Sequence, residues 1–334
     1  MVDLTEQLSR KLSFFGFLCA CMVVIDHVES FAAIGSVAWW AEEVISNGIC
    51  QIAVPYFFVA SGFFLAGHVG EAGWWRTEVL KRISSLLVPF VIWCVVGAVA
   101  QFAIAHEVPK DGWMCMLGAN PFSLPFYTPM WFLRALFCLV LLSPILVFIL
   151  RRLGLVALLF WFFLSIVLSF FLSKTPDWNN FFGNFIPLKW GAFWFSLGMC
   201  FRLNNPCWIP HMQRGRVGVA SLTVGVLLVV VSKYFVVLGC EFSALVQKIS
   251  IPFLLAGFWL CVPSFEFPKV LVQNAFPVYL VHTVFIRLSG SIIPFAGLMR
   301  WCFVCTIALL LSLASAICLR KVAPRASVLL FGGR

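Results

Sequence analysis

Long apolar runs joined by short polar segments make up most of the chain. Ten runs reach or approach the roughly 20 residues needed to cross a hydrocarbon core of about 30 Å. They cover residues 12–36, 44–67, 84–105, 129–150, 154–173, 185–201, 217–238, 247–263, 271–289 and 292–317. No stretch between or beyond them is polar enough for a separate soluble domain, and no internal repeat or low-complexity tract is evident. The pattern predicts an all-α polytopic transmembrane bundle, one domain over 1–334.

Charge orients this bundle. With the N-terminus inside, fifteen Lys and Arg fall on cytoplasmic segments, three on outer loops (Lys110, Lys174, Lys248) and five in or at the edges of spans (Arg134, Lys189, Lys233, Arg287, Arg300). Cytoplasmic loops are the ones enriched in Lys and Arg, so both termini are expected inside. The net charge of +10 then faces the anionic inner leaflet, and nucleic acid is not a partner. Composition agrees: 62% of residues are hydrophobic and 11% charged, where a soluble domain carries about 25% charged residues. The opening MVDLTEQLSRKL holds two acids, and no small-residue cleavage site follows, so the first run reads as a retained helix. The 13 cysteines lie mostly inside apolar runs and read as small hydrophobes rather than a disulfide framework. Cys302 and Cys305 have CxxC spacing but sit mid-span, so they are not read as a redox pair. Cys207 and His211 are two potential ligands, too few to close a zinc site, and no metal is expected.

Ionisable side chains inside spans are costly and usually face a cavity or a partner. At a rise of about 1.5 Å per residue, His27 and Arg134 each lie about 22 Å from the inner face, and His282 about 16 Å. Lys189 falls near the same level. Successive steps of three or four back from His27 reach Val23, Ala20 and Gly16, mostly small residues that let helices approach. That face is expected to point into the bundle, where His27 is either a catalytic group or a core histidine bonded to a neighbour. Asp26 points about 100° away and is expected to orient rather than to bond His27 directly.

Four further stretches stand out. Residues 55–67, PYFFVASGFFLAG, put Pro55 and the Ser61-Gly62 step in one span, where such residues kink helices. In LKRISSLLVPFVIW, 80–93, Lys81 and Arg82 stand at the cytoplasmic mouth of span three, as inner-leaflet anchors or as phosphate ligands. In PMWFLRALFCLVLLSPI, 129–145, Arg134 lies too deep for a plain anchor, and Trp131 is a candidate belt tryptophan. In PVYLVHTVF, 277–285, Tyr279 and His282 share nearly one face, three residues apart.

Taken together these stretches resemble the acyltransferase-3 family of membrane acyltransferases. The match runs in order: VV-x-x-H at Val23–His27, P-x-F-F-x-x-S-G-F at Pro55–Phe63, K-R-x-x-x-L-x-x-P-F-x-x-W at Lys81–Trp93, W-F-L-R-x-L at Trp131–Leu136, and Y-L-x-H at Tyr279–His282. The family often has an arginine 11 residues before the first-helix histidine, where this chain has Gly16; Arg10 and Lys11 lie one to two turns earlier. The extracytoplasmic hydrolase-like domain of some relatives is not expected here.

The resemblance implies transfer of an acyl group, typically acetyl, from cytoplasmic acyl-CoA to a hydroxyl of a surface glycan or its lipid-linked precursor, in a bacterial inner membrane. It implies His27 as base, with Arg134 and His282 as further catalytic candidates. Asp26, Ser61, Trp131 and Tyr279 are expected at the substrate, and Lys81 and Arg82 at the CoA phosphates. Acyl-CoA is then a donor substrate, with no permanently bound cofactor. Membrane lipids, acyl-CoA and the glycan acceptor are the partners implied. A transporter or flippase is the alternative; its intramembrane His and Arg would be proton or substrate sites.

Overall fold

The computed structural model describes residues 6–105, 128–173, 191–204, 215–240, 242–263 and 266–333. Among these every regular element is a helix. Eight helical segments are long and apolar enough to cross a membrane, and two apolar helices are shorter. Lipid offers no partner for backbone N–H and C=O groups, so a spanning chain must satisfy them internally, and helices do so locally. This is an integral membrane protein.

Each of the ten predicted runs meets a helix among the described residues, eight of them in segments long enough to span, and several ends and breaks differ from the sequence reading. The first helix, α1, is Glu6–Asp26 rather than 12–36. It ends because the His27 and Val28 N–H groups tighten onto Val24 and Ile25 carbonyls, both at 3.3 Å. The chain then turns, with Phe31 at φ 52° and Gly35 at φ 83°. The second span is a broken helix: α2 Val37–Ile45, a 3-10 turn at Ile49–Ile52, and α3 Ala53–Ala66. The break therefore precedes Pro55 and is not at Pro55 or Ser61-Gly62. Pro55 falls in the first turn of α3, where its missing N–H removes no intrahelical bond.

The third span starts at Trp74 rather than at residue 84. Helix α4, Trp74–Arg82, passes through a π turn at Ile83–Leu87 into α5, Val88–Ala105. Lys81 and Arg82 thus lie within the helical run. Helix α6 is Trp131–Leu153, α7 Leu155–Ser173 and α8 Ala192–Leu203. In α6 Pro144 cannot donate to the Val140 carbonyl, and Ser143 Oγ donates to it instead at 2.7 Å. Then come α9 Gly215–Val237, α10 Ser243–Cys261, the single turn α11 Lys269–Gln273, α12 Ala275–Ile292, α13 Leu298–Val322 and the short α14 Pro324–Phe331. Lys189, Cys207 and His211 lie outside the described residues.

Two compact units divide the described chain, residues 58–204 with 319–333 and residues 6–57 with 215–318. In the first, α3 and α8 cross at backbone contact. A Cβ on Gly62 would lie 2.0 Å from the Phe195 carbonyl oxygen, and one on Gly198 would lie 1.9 Å from that of Val59. Each glycine faces the partner helix three residues from the carbonyl that the other meets. Without a hydrophobic drive between helices in lipid, such close approach supplies packing energy. Gly62→Ala and Gly198→Ala are each expected to destabilise by about 1–3 kcal/mol or more. Thermal unfolding in detergent checks this, with Gly16→Ala as control, because a Cβ there meets nothing within 4 Å. In the same unit Trp93 is buried and its Nε1–H donates to the Leu330 carbonyl at 3.0 Å, fastening α14 to α5.

In the second unit α1 packs along α12 and α13 through Val24, Val28, Val278, Trp301, Val304 and Ala308. Tyr56 Oη donates to the Leu12 carbonyl at 2.6 Å, joining the start of α3 to α1.

Candidate functional site

The polar chemistry of the second unit gathers where α1 ends. His27 follows the last residue of α1, so its own N–H has moved to the Val24 carbonyl. The Val23 carbonyl is then open to the His27 ring, with Nδ1 at 2.8 Å. A carbonyl only accepts, so Nδ1 carries the proton and Nε2 the lone pair. The His27 side chain is 35% exposed, and Nε2 makes no hydrogen bond among the described residues. The ring is held at one end and open at the other.

His282, from α12, stands against it. The two ring centroids are 5.0 Å apart, edge to face. His282 is fully buried, and its Nδ1 lies 2.5 Å from the Tyr279 carbonyl. The same logic puts its lone pair on Nε2, which is buried without a hydrogen-bond partner among the described residues. Tyr279 is buried one turn earlier, its ring 5.9 Å from that of His282. Three predicted residues from two separate stretches, His27 on one and Tyr279 and His282 on the other, are thus brought together in space.

Asp26 does not bond His27: Nδ1 to Oδ2 is 3.8 Å. Its carboxylate instead accepts from Gln51 Nε2 at 2.5 Å. Gln51 belongs to the break in the second span, and that break is itself held by polar groups. Ser46 Oγ donates to the Ile25 carbonyl at 3.0 Å, and Trp301 Nε1 donates to Ser46 Oγ at 3.2 Å. Glu42 accepts from both the N–H and the hydroxyl of Ser30, fixing the turn after His27. From α9, Lys233 pairs with Glu43 at 3.0 Å and donates to the Asn47 carbonyl at 3.0 Å. Ser232 and Gln247 complete this network, Ser232 Oγ donating to Gln247 Oε1 at 2.9 Å.

Sequence reading missed Gln51, Glu42, Glu43 and Lys233. A lysine inside a 23-residue apolar helix is the signal that marks Lys233. The acids and Gln51 carry no such mark, because they lie beside a break that sequence places elsewhere.

The other predicted residues lie in the first unit. Arg134 is half-buried one turn into α6, and Trp131, the first residue of that helix, packs edge to face with Phe132. Ser61 is half-buried on α3 and its hydroxyl makes no hydrogen bond among the described residues. Lys81 and Arg82 both pair with buried Glu78, at 3.0 and 3.4 Å. In the second unit, Arg10 pairs with Glu266 at 2.9 Å and Lys11 lies 4.8 Å over Trp259. Both are occupied about 24 Å or more along α1 from His27, so neither stands in for an arginine at Gly16.

Fold and site define a class: a polytopic helical membrane protein with a histidine pair at the end of its first span. The acyltransferase-3 family model, described as an acyltransferase domain, matches residues 16–317. The chain belongs to that family. A curated relative, the succinoglycan biosynthesis protein ExoH of Rhizobium meliloti (strain 1021), is 28% identical over 156 residues. That alignment spans 41% of this chain and 40% of the relative, so well under half of each is compared. No solved structure matches.

Proposed function

We propose that the protein is a membrane O-acyltransferase that moves an acyl group, acetyl in the simplest case, from acyl-CoA to a hydroxyl of a polysaccharide or its lipid-linked precursor. Family membership supports acyl transfer, and the relative's part in succinoglycan biosynthesis supports a glycan acceptor. The observation that carries the reading is His27: its Nδ1 proton is tied to the Val23 carbonyl, and its Nε2 lone pair is open.

The chemistry follows from that tautomer. Nε2 takes the proton of the acceptor hydroxyl as its oxygen attacks the thioester carbonyl. The C–S bond then breaks, and the imidazolium returns the proton to the thiolate of CoA. Atoms balance, with no change of oxidation state. His282 packs against the His27 ring and limits its rotation, which keeps Nε2 aimed. Asp26, held by Gln51, lends negative charge 3.8 Å from Nδ1 while the imidazolium exists. We assign Arg134 to the acceptor or the developing oxyanion, since a guanidinium is a fixed positive charge. Tyr279, Ser61 and Trp131 are assigned to substrate contact, and Lys81 and Arg82 to the CoA phosphates. We place the protein in a bacterial inner membrane, on its family, with both termini cytoplasmic, on the distribution of Lys and Arg.

The test is transfer of radiolabelled acetyl from acetyl-CoA into glycan and lipid fractions of membranes that hold the protein. Label above that of membranes without it is the expected result. No transfer from any of a panel of acyl-CoA donors would overturn the reading in favour of a transporter, which uptake in proteoliposomes then examines.

A further inference from the structure

We propose that Arg202 anchors a phosphate-binding site in the first unit, completed by Lys81 and Arg82. Arg202 lies in the last turn of α8. Its guanidinium stacks 5.2 Å from the Phe63 ring centre. It abuts the turn that follows α3: a Cβ on Gly67 would lie 3.3 Å from its Nε and 3.4 Å from its Nη2. The absence of a side chain at Gly67 is what lets the guanidinium come this close to the backbone. Yet Arg202 Nε and Nη1 are buried and have no hydrogen-bond partner among the described residues. Buried donors of a charged group are costly to leave unmet, and among the described residues no carboxylate pairs with Arg202.

The neighbouring residue links this guanidinium to the basic pair on α4. His68 Nε2 lies 3.9 Å from Glu78 Oε1, and Glu78 holds Lys81 and Arg82. Lys81 and Arg82 thus share one buried carboxylate, which also lies near His68, the residue after the Gly67 that Arg202 abuts. Glu78 orders Lys81 and Arg82 without neutralising the cluster, and Lys81 remains 57% exposed. A planar fork with free donors, flanked by ordered cations, suits the tetrahedral oxygens of a phosphate monoester or diphosphate. Two sources share that chemistry: the phosphates of CoA, an assignment that rests on the acyl-CoA reading above, and the headgroup phosphate of an anionic lipid. Sequence reading gave the phosphates to Lys81 and Arg82 alone; those two are engaged by Glu78, whereas Arg202 keeps two buried donors open among the described residues.

The experiment measures binding by the intact protein in nanodiscs, so it does not depend on turnover. Wild type, Arg202→Gln and Arg202→Lys are compared for Kd with CoA and with pantetheine, which lacks the phosphates. Thermal stabilisation is compared in phosphatidylglycerol and phosphatidylcholine discs. For a donor site, Arg202→Gln weakens CoA binding about 10- to 100-fold, leaves pantetheine unchanged, and Arg202→Lys is intermediate. For a lipid site, Arg202→Gln loses the phosphatidylglycerol stabilisation and CoA binding is unmoved. Arg202→Lys, which keeps the charge, carries the comparison if the glutamine variant does not fold. Unchanged CoA binding and unchanged lipid stabilisation would overturn the proposal, as would equal losses for CoA and pantetheine. A wild type that binds no CoA counts against the acyl-CoA reading, and the lipid arm then decides the site.

Discussion

Replacing His27 with alanine is expected to lower acyl transfer by about 10²–10⁴-fold, the range that a positioned general base supplies. The basis is the ring's setting. Nδ1 is spent on the Val23 carbonyl at 2.8 Å, so Nε2 is the one nitrogen able to accept a proton. The side chain is partly exposed at the end of α1, and its loss leaves no hole in the core, so the variant is expected to fold. The loss should appear in kcat, with KM for acyl-CoA little changed, because the proton moves only as the bond forms. Arg134→Ala is measured alongside it at matched expression. His282→Phe keeps an aromatic ring of similar size against His27 while removing Nε2. A protein that transfers label after His27→Ala but not after His282→Phe has its base on α12.

Breaking the ion pair between Lys233 and Glu43 is expected to be the largest single loss of stability. Both side chains are mostly out of solvent, at 8% and 19% exposure. Removing one member of a buried pair leaves the other charge uncompensated and costs about 3–5 kcal/mol. After Lys233→Met, the partner left to Glu43 among the described residues is Asn47 Nδ2, at 2.8 Å. The double variant Lys233→Met with Glu43→Gln should recover much of the loss, since neither charge is then stranded. Thermal unfolding in detergent reads all three. The single variant should also lose activity, because Lys233 grips Asn47 in the broken segment that carries Gln51, and Gln51 holds Asp26 beside His27. An unfolding midpoint unchanged in Lys233→Met would show that water already solvates the pair.

These expectations rest on contacts of very different sequence separation, and that separation explains what each source of information supplied. The helical runs were legible from the chain because hydrocarbon forces every spanning backbone to bond within itself, and a helix does so from local residues alone. His27, Tyr279 and His282 were legible for a related reason: polar groups within apolar runs are costly enough to stand out. Where a helix stops is another matter. The end of α1 goes with Gln51 reaching Asp26 across 25 residues and Glu42 reaching Ser30 across 12. The break at Ser46–Ile52 is gripped by Lys233 from 186 residues away, and Trp93 finds Leu330 across 237. No local pattern of apolar positions encodes such partners, so the sequence reading extended the first span to residue 36 and looked for the kink at Pro55 and Gly62. Glycine carries the same ambiguity. Gly62 reads as a hinge in one dimension, and only the carbonyl of Phe195 at 2.0 Å from its absent Cβ makes it a packing contact. By itself the chain determined that it is a helical membrane protein and which polar residues it cannot leave in lipid without a reason. The tertiary structure decided which of those residues meet, because in a medium that solvates neither backbone nor charge, each must find its partner on another helix.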